Sequence, residues 1–224
     1  MSSAIFTSTK KMAQTGLLTI SALSFSVQLF AANSIVEVET NKGSFTIELY
    51  DEKAPETVKN FLQYVDDGYY EGTIFHRLIP GFMLQGGGFT KELTKKETRK
   101  AIKNEASEAL KNVRGSVAMA RTSSPNSATS QFFINFDDNK HLDYKKYNVG
   151  YAVFGQVQDD DLALIDALGQ SPTGTIGIYK DVPNDAIIIN KISRVKVEEP
   201  APELTEGENP EESAETTSET PAAE

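Results

Sequence analysis

Two hydrogen-bond donors, Arg77 and Gln85, lie among large apolar side chains in one short stretch of the chain. From residue 75 to residue 88 the stretch reads F-H-R-L-I-P-G-F-M-L-Q-G-G-G. The pattern predicts two strands, 73–79 and 82–85, which are joined by a Pro-Gly turn and ended by the three glycines. Because side chains alternate between the faces of a strand, Arg77 is expected to share a face with the aromatic residue two positions before it. A cation and an amide beside apolar groups suit a site that binds an apolar residue of a peptide and donates hydrogen bonds to its backbone carbonyls.

A purely structural interpretation of this stretch stays open, namely a half-buried hairpin whose arginine extends its charged end into solvent. Composition and spacing exclude several other chemistries. The chain has no cysteine, which excludes disulfides, thiolate catalysis and thiolate metal sites. Its two histidines, His76 and His141, have no neighbours at the spacing of a zinc site. The chain has no G-x-S-x-G hydrolase elbow, and the glycine run lacks the Gly-Lys-Ser/Thr ending of a phosphate-binding loop.

The net charge of −10 comes from one end of the chain. Residues 198–224 hold ten glutamates and no lysine or arginine, which leaves 22 acidic and 22 basic residues in the rest of the chain. A nucleic-acid-binding surface is not expected, because such surfaces cluster lysine and arginine. The Glu, Pro, Ala, Ser and Thr of residues 198–224 predict a disordered acidic tail, because this composition offers little apolar surface to bury.

The first 32 residues differ in composition from the rest. Lys10 and Lys11 precede an uncharged stretch, 12–30, and small residues follow it. A basic start, an apolar middle and a small-residue end are typical of a secretory signal peptide, so residues 1–32 are predicted to be a cleaved signal. The alternative is an uncleaved membrane anchor, since the stretch is about long enough to span a bilayer. Both interpretations place the folded part outside the inner membrane, and the periplasm is its expected location.

The region between these two ends is predicted to be mostly β. Alternating apolar and polar residues indicate a hairpin over 35–50, and a proline start with apolar residues at helical spacing indicates an amphipathic helix over 55–68. The mixed charges of residues 89–112 indicate a solvated loop. The remaining predicted elements are strands at 115–120, 131–136 and 151–157, a helix at 160–169, a glycine-rich loop at 173–177 and a last strand at 186–197. Many strands, two helices and no βαβ rhythm predict a closed antiparallel barrel.

Two segments carry a family resemblance. Residues 75–87 fit the pattern F-H-R-x-I-P-G-F-M-x-Q-G-G, and residues 130–134 read S-Q-F-F-I. In this order the two segments resemble the signature of the cyclophilin family of peptidyl-prolyl cis-trans isomerases, in its bacterial periplasmic branch. The resemblance covers residues 35–196. It implies a mostly β fold, a closed eight-stranded antiparallel cyclophilin-like barrel capped by two helices.

The resemblance also implies which residues form the site. Arg77, Phe82 and Gln85 are the implied catalytic residues, with Arg77 donating to the prolyl nitrogen. The implied substrate-binding residues are Met83, Ala120, Arg121, Gln131, Phe133, His141, Leu142 and Tyr151. No metal and no cofactor is expected, because rotation about a peptide bond needs neither a nucleophile nor a metal. The implied partners are proline-containing unfolded or partly folded polypeptides.

Three positions depart from the pattern of other members of the family. Arg121 stands where many members have asparagine, His141 at the place of a pocket tryptophan, and Tyr151 at the place of a histidine. The tryptophan supports the ligand cyclosporin in the family, so weak cyclosporin binding is expected here. Isomerase activity is less affected, because the implied catalytic residues are present.

The sequence therefore predicts an exported isomerase that accelerates X–Pro isomerisation while exported proteins fold. Its predicted regions are a signal peptide (1–32), an isomerase domain (33–197) and a disordered acidic tail (198–224). Two alternatives stay open, a non-catalytic peptide-binding or chaperone module on the same fold and a membrane-tethered scaffold. Arg77 argues against the first, because binding an X–Pro segment does not require a donor at the prolyl nitrogen. A monomer is expected, with no stable membrane association if the signal is cleaved.

Overall fold

The computed structural model describes residues 33–196. The predicted signal peptide, and the acidic tail from residue 198 onward, lie outside the described residues. Across residues 33–196, no helix is long and apolar enough to cross a membrane.

The described part of the chain contains ten strands and two α-helices. The strands are β1 (Ile35–Thr40), β2 (Gly43–Leu49), β3 (Thr73–Ile79), β4 (Met83–Thr90), β5 (Ser116–Met119), β6 (Phe132–Asn135), β7 (Val153–Val157), β8 (Thr173–Ile176), β9 (Tyr179–Pro183) and β10 (Ile187–Val195). The helices are α1 (Pro55–Asp66) and α2 (Leu162–Gly169). Each helix predicted from the sequence, and each strand predicted there, overlaps one of these elements.

Eight of the strands close into a barrel in the order β1-β10-β3-β4-β6-β5-β7-β2. All eight neighbouring pairs are antiparallel. Alternation along the strands sends Val36, Val38, Phe45 and Ile47 of the first hairpin into the interior, where they are fully buried. The prediction of a closed antiparallel barrel is confirmed.

Helix α1 belongs to the same hydrophobic core as the barrel. It begins at Pro55, where a missing N–H costs nothing, and its buried face includes Phe61. The ring centroid of Phe61 lies 5.3 Å from that of Tyr70, 5.6 Å from that of Phe132 and 5.1 Å from that of Phe154. Aromatic contacts of this kind fix the helix to strands β6 and β7.

The first turn of α1 receives its hydrogen-bond partner from far along the chain. Ala54, at the N-cap, has no side-chain acceptor to offer. Instead the Glu105 carboxylate accepts hydrogen bonds from the backbone N–H groups of Thr57 at 2.7 Å and Glu56 at 3.1 Å. The Thr57 hydroxyl donates to the same carboxylate at 2.7 Å. The negative charge also lies at the positive end of the helix dipole, so the contact ties the irregular segment 91–112 to α1.

The prediction that the three glycines end the strand after Gln85 is wrong, because β4 continues through them to Thr90. Neighbouring side chains pack directly on this part of the strand. A Cβ atom at Gly86 would lie 2.6 Å from the Phe75 ring, and one at Gly88 would lie 2.4 Å from the Gln131 side chain. The glycines therefore leave room for close packing on β4 rather than interrupting it.

Arg77 and Phe75 lie on different faces of β3, contrary to the prediction from strict alternation. The strand pairs Phe75 with Gly86 and Arg77 with the adjacent Gln85, so His76 is the extra residue of a β-bulge. One extra residue reverses the face on which the following side chains lie. Phe75 is consequently fully buried in the core, whereas the Arg77 side chain is 42% exposed.

The prediction of a loop at 173–177 is wrong. Most of this glycine-rich segment forms β8, which pairs with β9 in a separate two-stranded sheet. The hairpin turns at Gly177, whose φ of 59° is accessible to glycine at low cost. The residues of β8 are half-buried or exposed, without the apolar alternation by which a strand is recognised in a sequence.

Candidate active site

Strands β3, β4 and β6 bring three of the implied site residues side by side. Arg77 pairs with Gln85 in the ladder, and Gln85 pairs with Phe133 on its other side. Directly paired residues project from the same face with Cβ atoms about 5 Å apart. A guanidinium, an amide and a phenyl ring therefore form a row across the sheet.

This row borders a surface pocket of about 130 Å³. Met83 and Phe133 are almost fully buried beneath it, at 2% and 4% exposure, and make its interior apolar. The lining residues are Arg77, Phe82, Met83, Gln85, Ala120, Arg121, Phe133, Leu142 and Tyr151. Gln131 and His141 lie outside this lining, and each contacts a residue that belongs to it.

Gln131 contacts the pocket through Gln85. The Gln85 side-chain amide donates a hydrogen bond to the side-chain oxygen of Gln131, 3.0 Å away. Gln131 reaches this position because Gly88 has no side chain beneath it. It also borders an adjoining groove, together with Lys95 and Ser127. The amide of Gln85 thus has a fixed orientation at the pocket's edge.

Arg121 and Tyr151 together form another wall of the pocket. The guanidinium carbon of Arg121 lies 4.2 Å from the centroid of the Tyr151 ring. The Nε and Nη2 atoms of Arg121 donate to the Gly150 carbonyl at 3.2 and 2.9 Å. Tyr151 in turn packs edge-on against Phe133, with ring centroids 5.7 Å apart. The Arg121 cation is thus held by the protein's own backbone and by an aromatic face.

His141 supports Phe82 from outside the pocket. Its ring is exposed and stacks on that of Phe82, with centroids 5.5 Å apart and planes 26° apart. The sequence resemblance placed His141 among the substrate-binding residues. The structure places it outside the pocket lining and in contact with Phe82, which lines the pocket, and its role in substrate binding stays a prediction.

A buried polar network, which was not predicted from the sequence, holds the backbone of Phe82. The Asn139 side chain donates to the Phe82 carbonyl at 2.9 Å and to the Asn135 side-chain oxygen at 2.8 Å. Asn135 donates to Asn112 at 3.3 Å, and the Asn112 N–H donates to Asp143 at 2.8 Å. The available signal was the amide residues in and after an otherwise apolar strand, because buried amides need partners.

Arg77 also has neighbours that do not line this pocket. Its Nε atom lies 3.7 Å from a carboxylate oxygen of Asp181 in β9. His76 is 7% exposed and packs against Phe89, with ring centroids 4.6 Å apart. Burial, with a smaller effect of the Arg77 charge, lowers the pKa of His76 to about 4, so its imidazole is neutral at pH 7. His76 does not line the pocket.

The described residues offer binding and hydrogen-bond donation at the pocket. Between residues 33 and 196, no group of three or more His, Cys, Asp or Glu side chains is arranged to hold a metal ion. The pocket combines an apolar interior with a cation and a neutral donor at its edge. Such a site can bind an apolar ring while hydrogen-bonding the polar backbone attached to it.

Residues 35–194 match the family model described as cyclophilin type peptidyl-prolyl cis-trans isomerase/CLD. The chain belongs to the cyclophilin family. The match begins at the first residue of β1 and ends one residue before the end of β10, so it covers the barrel except for its last residue. This cyclophilin is accordingly an enzyme, a peptidyl-prolyl cis-trans isomerase.

Bacterial relatives and a solved structure agree with the family match. This cyclophilin is 51% identical over 158 residues to a peptidyl-prolyl cis-trans isomerase of Acinetobacter baylyi, covering 70% of this chain and 84% of the relative. It is 48% identical over 162 residues to peptidyl-prolyl cis-trans isomerase B of Escherichia coli, covering 71% and 98%. This cyclophilin is also similar to the crystal structure of a cyclophilin type peptidyl-prolyl cis-trans isomerase from Cryptosporidium parvum in the presence of the dipeptide Ala-Pro, with 32% sequence identity and a TM-score of 0.63. The match covers 73% of this chain and 99% of that one.

Proposed function

We propose that this cyclophilin accelerates X–Pro isomerisation in exported proteins while they fold, with Arg77 as the catalytic donor. The observation that carries the proposal is the ladder pairing of Arg77 with Gln85 at the edge of one apolar pocket. The Ala-Pro dipeptide present with the Cryptosporidium relative supports an X–Pro segment as the ligand.

The chemistry required is the rotation of one peptide bond. Its barrier is about 18–20 kcal/mol because resonance gives the bond partial double-bond character. In the twisted transition state the prolyl nitrogen regains a lone pair, which can accept a hydrogen bond. A guanidinium beside that nitrogen binds the transition state more strongly than either planar form. Lowering the barrier by about 5 kcal/mol accelerates exchange by roughly four orders of magnitude.

The other residues of the pocket hold the substrate during that rotation. The proline ring fits against the apolar side chains of Phe82, Met83, Phe133 and Leu142. The Gln85 amide is oriented by Gln131 and is available to the substrate backbone. Because the ring and one side of the bond are held, only the preceding carbonyl rotates. Binding thus fixes the substrate in a geometry from which rotation about the bond is easier.

The proposed location is the periplasm, after removal of residues 1–32. This part of the proposal rests on the basic start, uncharged middle and small-residue end of that segment. The mass of the mature protein purified from its native host tests it. A mature chain beginning near residue 33 is expected, and retention of residues 1–30 would replace export and cleavage with a membrane-tethered protein.

The catalytic role is tested by the rate of cis-to-trans exchange in a capped X–Pro peptide, measured by NMR with the full chain. Arg77→Ala is expected to lower kcat/KM about 100-fold, since Arg77 is proposed to donate to the transition state. Arg114→Ala is the matched control, because Arg114 pairs with Asp166 on the surface and does not line the pocket. It removes the same charge and is expected to keep the wild-type rate.

A different result would favour another function. If the wild-type chain binds the peptide but leaves its exchange rate unchanged, the site is a peptide-binding module without catalysis. If Arg77→Ala keeps the wild-type rate while folded, the isomerase uses a donor other than Arg77.

A further inference from the structure

The hairpin of β8 and β9 packs on the strand that carries Arg77. Strand β9 contacts β3, and the Tyr179 ring packs edge-on against Phe89 with centroids 5.3 Å apart. Phe89 in turn lies against His76, the bulged residue next to Arg77. The hairpin is therefore fixed beside Arg77 by a row of three rings.

Asp181 lies at an irregular position within this hairpin. Gly174 pairs with Val182 and Ile176 with Tyr179, so two residues of β9 stand opposite one residue of β8. Asp181 is one of the two, and its φ is 60°. Bulges with a left-handed residue normally use glycine, which adopts this conformation without crowding of a Cβ atom. A bulge of this kind redirects the side chain that it carries.

The redirected carboxylate faces Arg77. An Asp181 carboxylate oxygen lies 3.7 Å from the Arg77 Nε atom, and the two side chains are 43% and 42% exposed. Within residues 33–196, this is the one ion pair that Arg77 makes. A left-handed conformation is uncommon for a residue other than glycine, and such conformations cluster at functional sites.

We propose that Asp181 is a positioning residue that holds the guanidinium of Arg77 towards the pocket. A carboxylate at the Nε edge restricts a long and flexible side chain, and it leaves the two terminal nitrogens for the substrate. Arg77 then loses less conformational freedom when the transition state forms. The inference rests on the proposed donor role of Arg77. It adds a residue from the hairpin, outside the two signature segments, to the catalytic arrangement.

Two substitutions separate positioning from a structural role. Asp181→Asn keeps the shape and the tolerance for a left-handed backbone, and removes the charge. Asp181→Gly removes the side chain, and glycine adopts the left-handed backbone conformation at lower cost. Both are expected to lower kcat about two- to five-fold with little change in KM, which corresponds to a half-exposed ion pair. The thermal midpoint of Asp181→Gly is expected to be no lower than that of the wild type. A merely structural Asp181 would instead leave kcat unchanged.

The matched control is Asp185→Asn, which removes the same charge from the segment after β9. Asp185 pairs with Lys42 at 4.0 Å, and neither residue lines the pocket of Arg77. Its kcat is expected to equal that of the wild type. An equal loss in this variant would show a general effect of charge and overturn the proposal.

The closing experiment places Asp181→Asn in two backgrounds of the full chain, wild type and Arg77→Ala, and measures exchange of an uncharged capped X–Pro peptide by NMR. If Asp181 acts through Arg77, the substitution lowers the rate in the first background and has no effect in the second. Equal losses in both backgrounds, or no loss in the first, would overturn the inference. The Arg77→Ala chain alone reports on the proposed function, so a wild-type rate there identifies failure of that proposal instead.

Discussion

The side-chain amide of Gln85 donates a hydrogen bond to the side-chain oxygen of Gln131 across 3.0 Å. Removing the acceptor leaves the Gln85 amide free to rotate away from the substrate. Gln131→Ala is therefore expected to lower kcat/KM about three- to ten-fold, the range for one hydrogen bond. The measurement is X–Pro exchange together with the thermal midpoint, which should change little.

Gln131→Glu serves as the comparison, because a carboxylate keeps an acceptor at the same distance from the backbone. It is expected to retain more of the wild-type kcat/KM than the alanine variant. Equal losses in the two variants would show that Gln131 acts on the substrate rather than on Gln85.

Burial of a neutral His76 makes the stability of the barrel depend on pH. Its folded pKa of about 4 lies below the ordinary value of 6.5, so the unfolded chain binds the proton more readily. The contribution of His76 to the stability of the folded state is fully present above about pH 6.5 and is lost as the pH falls towards 4. The free energy of unfolding should fall over this window by up to roughly 3 kcal/mol. Urea denaturation from pH 7.5 to pH 4 measures it.

His76→Phe isolates this contribution, since a phenyl ring can pack against Phe89 and does not titrate. Its free energy of unfolding should fall less steeply than that of the wild type between pH 6.5 and pH 4. Parallel curves for the two proteins would mean that other groups cause the loss of stability in acid.

Glu105 stabilises the start of α1 from outside the helix. Glu105→Ala removes the carboxylate that accepts hydrogen bonds from the N–H groups of Glu56 and Thr57 and from the Thr57 hydroxyl. We expect the free energy of unfolding to fall by about 1–2 kcal/mol, as for loss of an N-cap. Glu108→Ala, at an exposed position in the same segment, should change it by less than about 0.5 kcal/mol. Urea denaturation measures the free energy of unfolding of both variants. Equal decreases in the two would contradict the capping role of Glu105.

The barrel was predictable because its strands alternate or are continuously apolar, and these patterns directly report burial. The pocket was predictable only in part. Arg77, Phe82, Gln85 and Phe133 lie in two recognisable segments, and the structure places all four at one pocket. Their catalytic and binding roles stay predictions that the exchange measurements test.

The remaining features depend on contacts between distant parts of the chain. The bulge at His76 arises from pairing with β4, and periodicity within one strand does not report it. The β8–β9 hairpin is partly exposed, so it has no apolar signature. Asp181 is separated from Arg77 by most of the barrel's sequence, and only the fold shows their proximity.

Strand β10 lies between β1 and β3, with Val195 paired to Ile35. The barrel is thus closed by the last of its strands to be synthesised. Until then β1 and β3 each have one edge unpaired, and unpaired edges are templates for aggregation. During synthesis from the N-terminus to the C-terminus, the barrel therefore cannot close until β10 is available. Folding of this isomerase therefore ends with a closing step that waits for its final barrel strand.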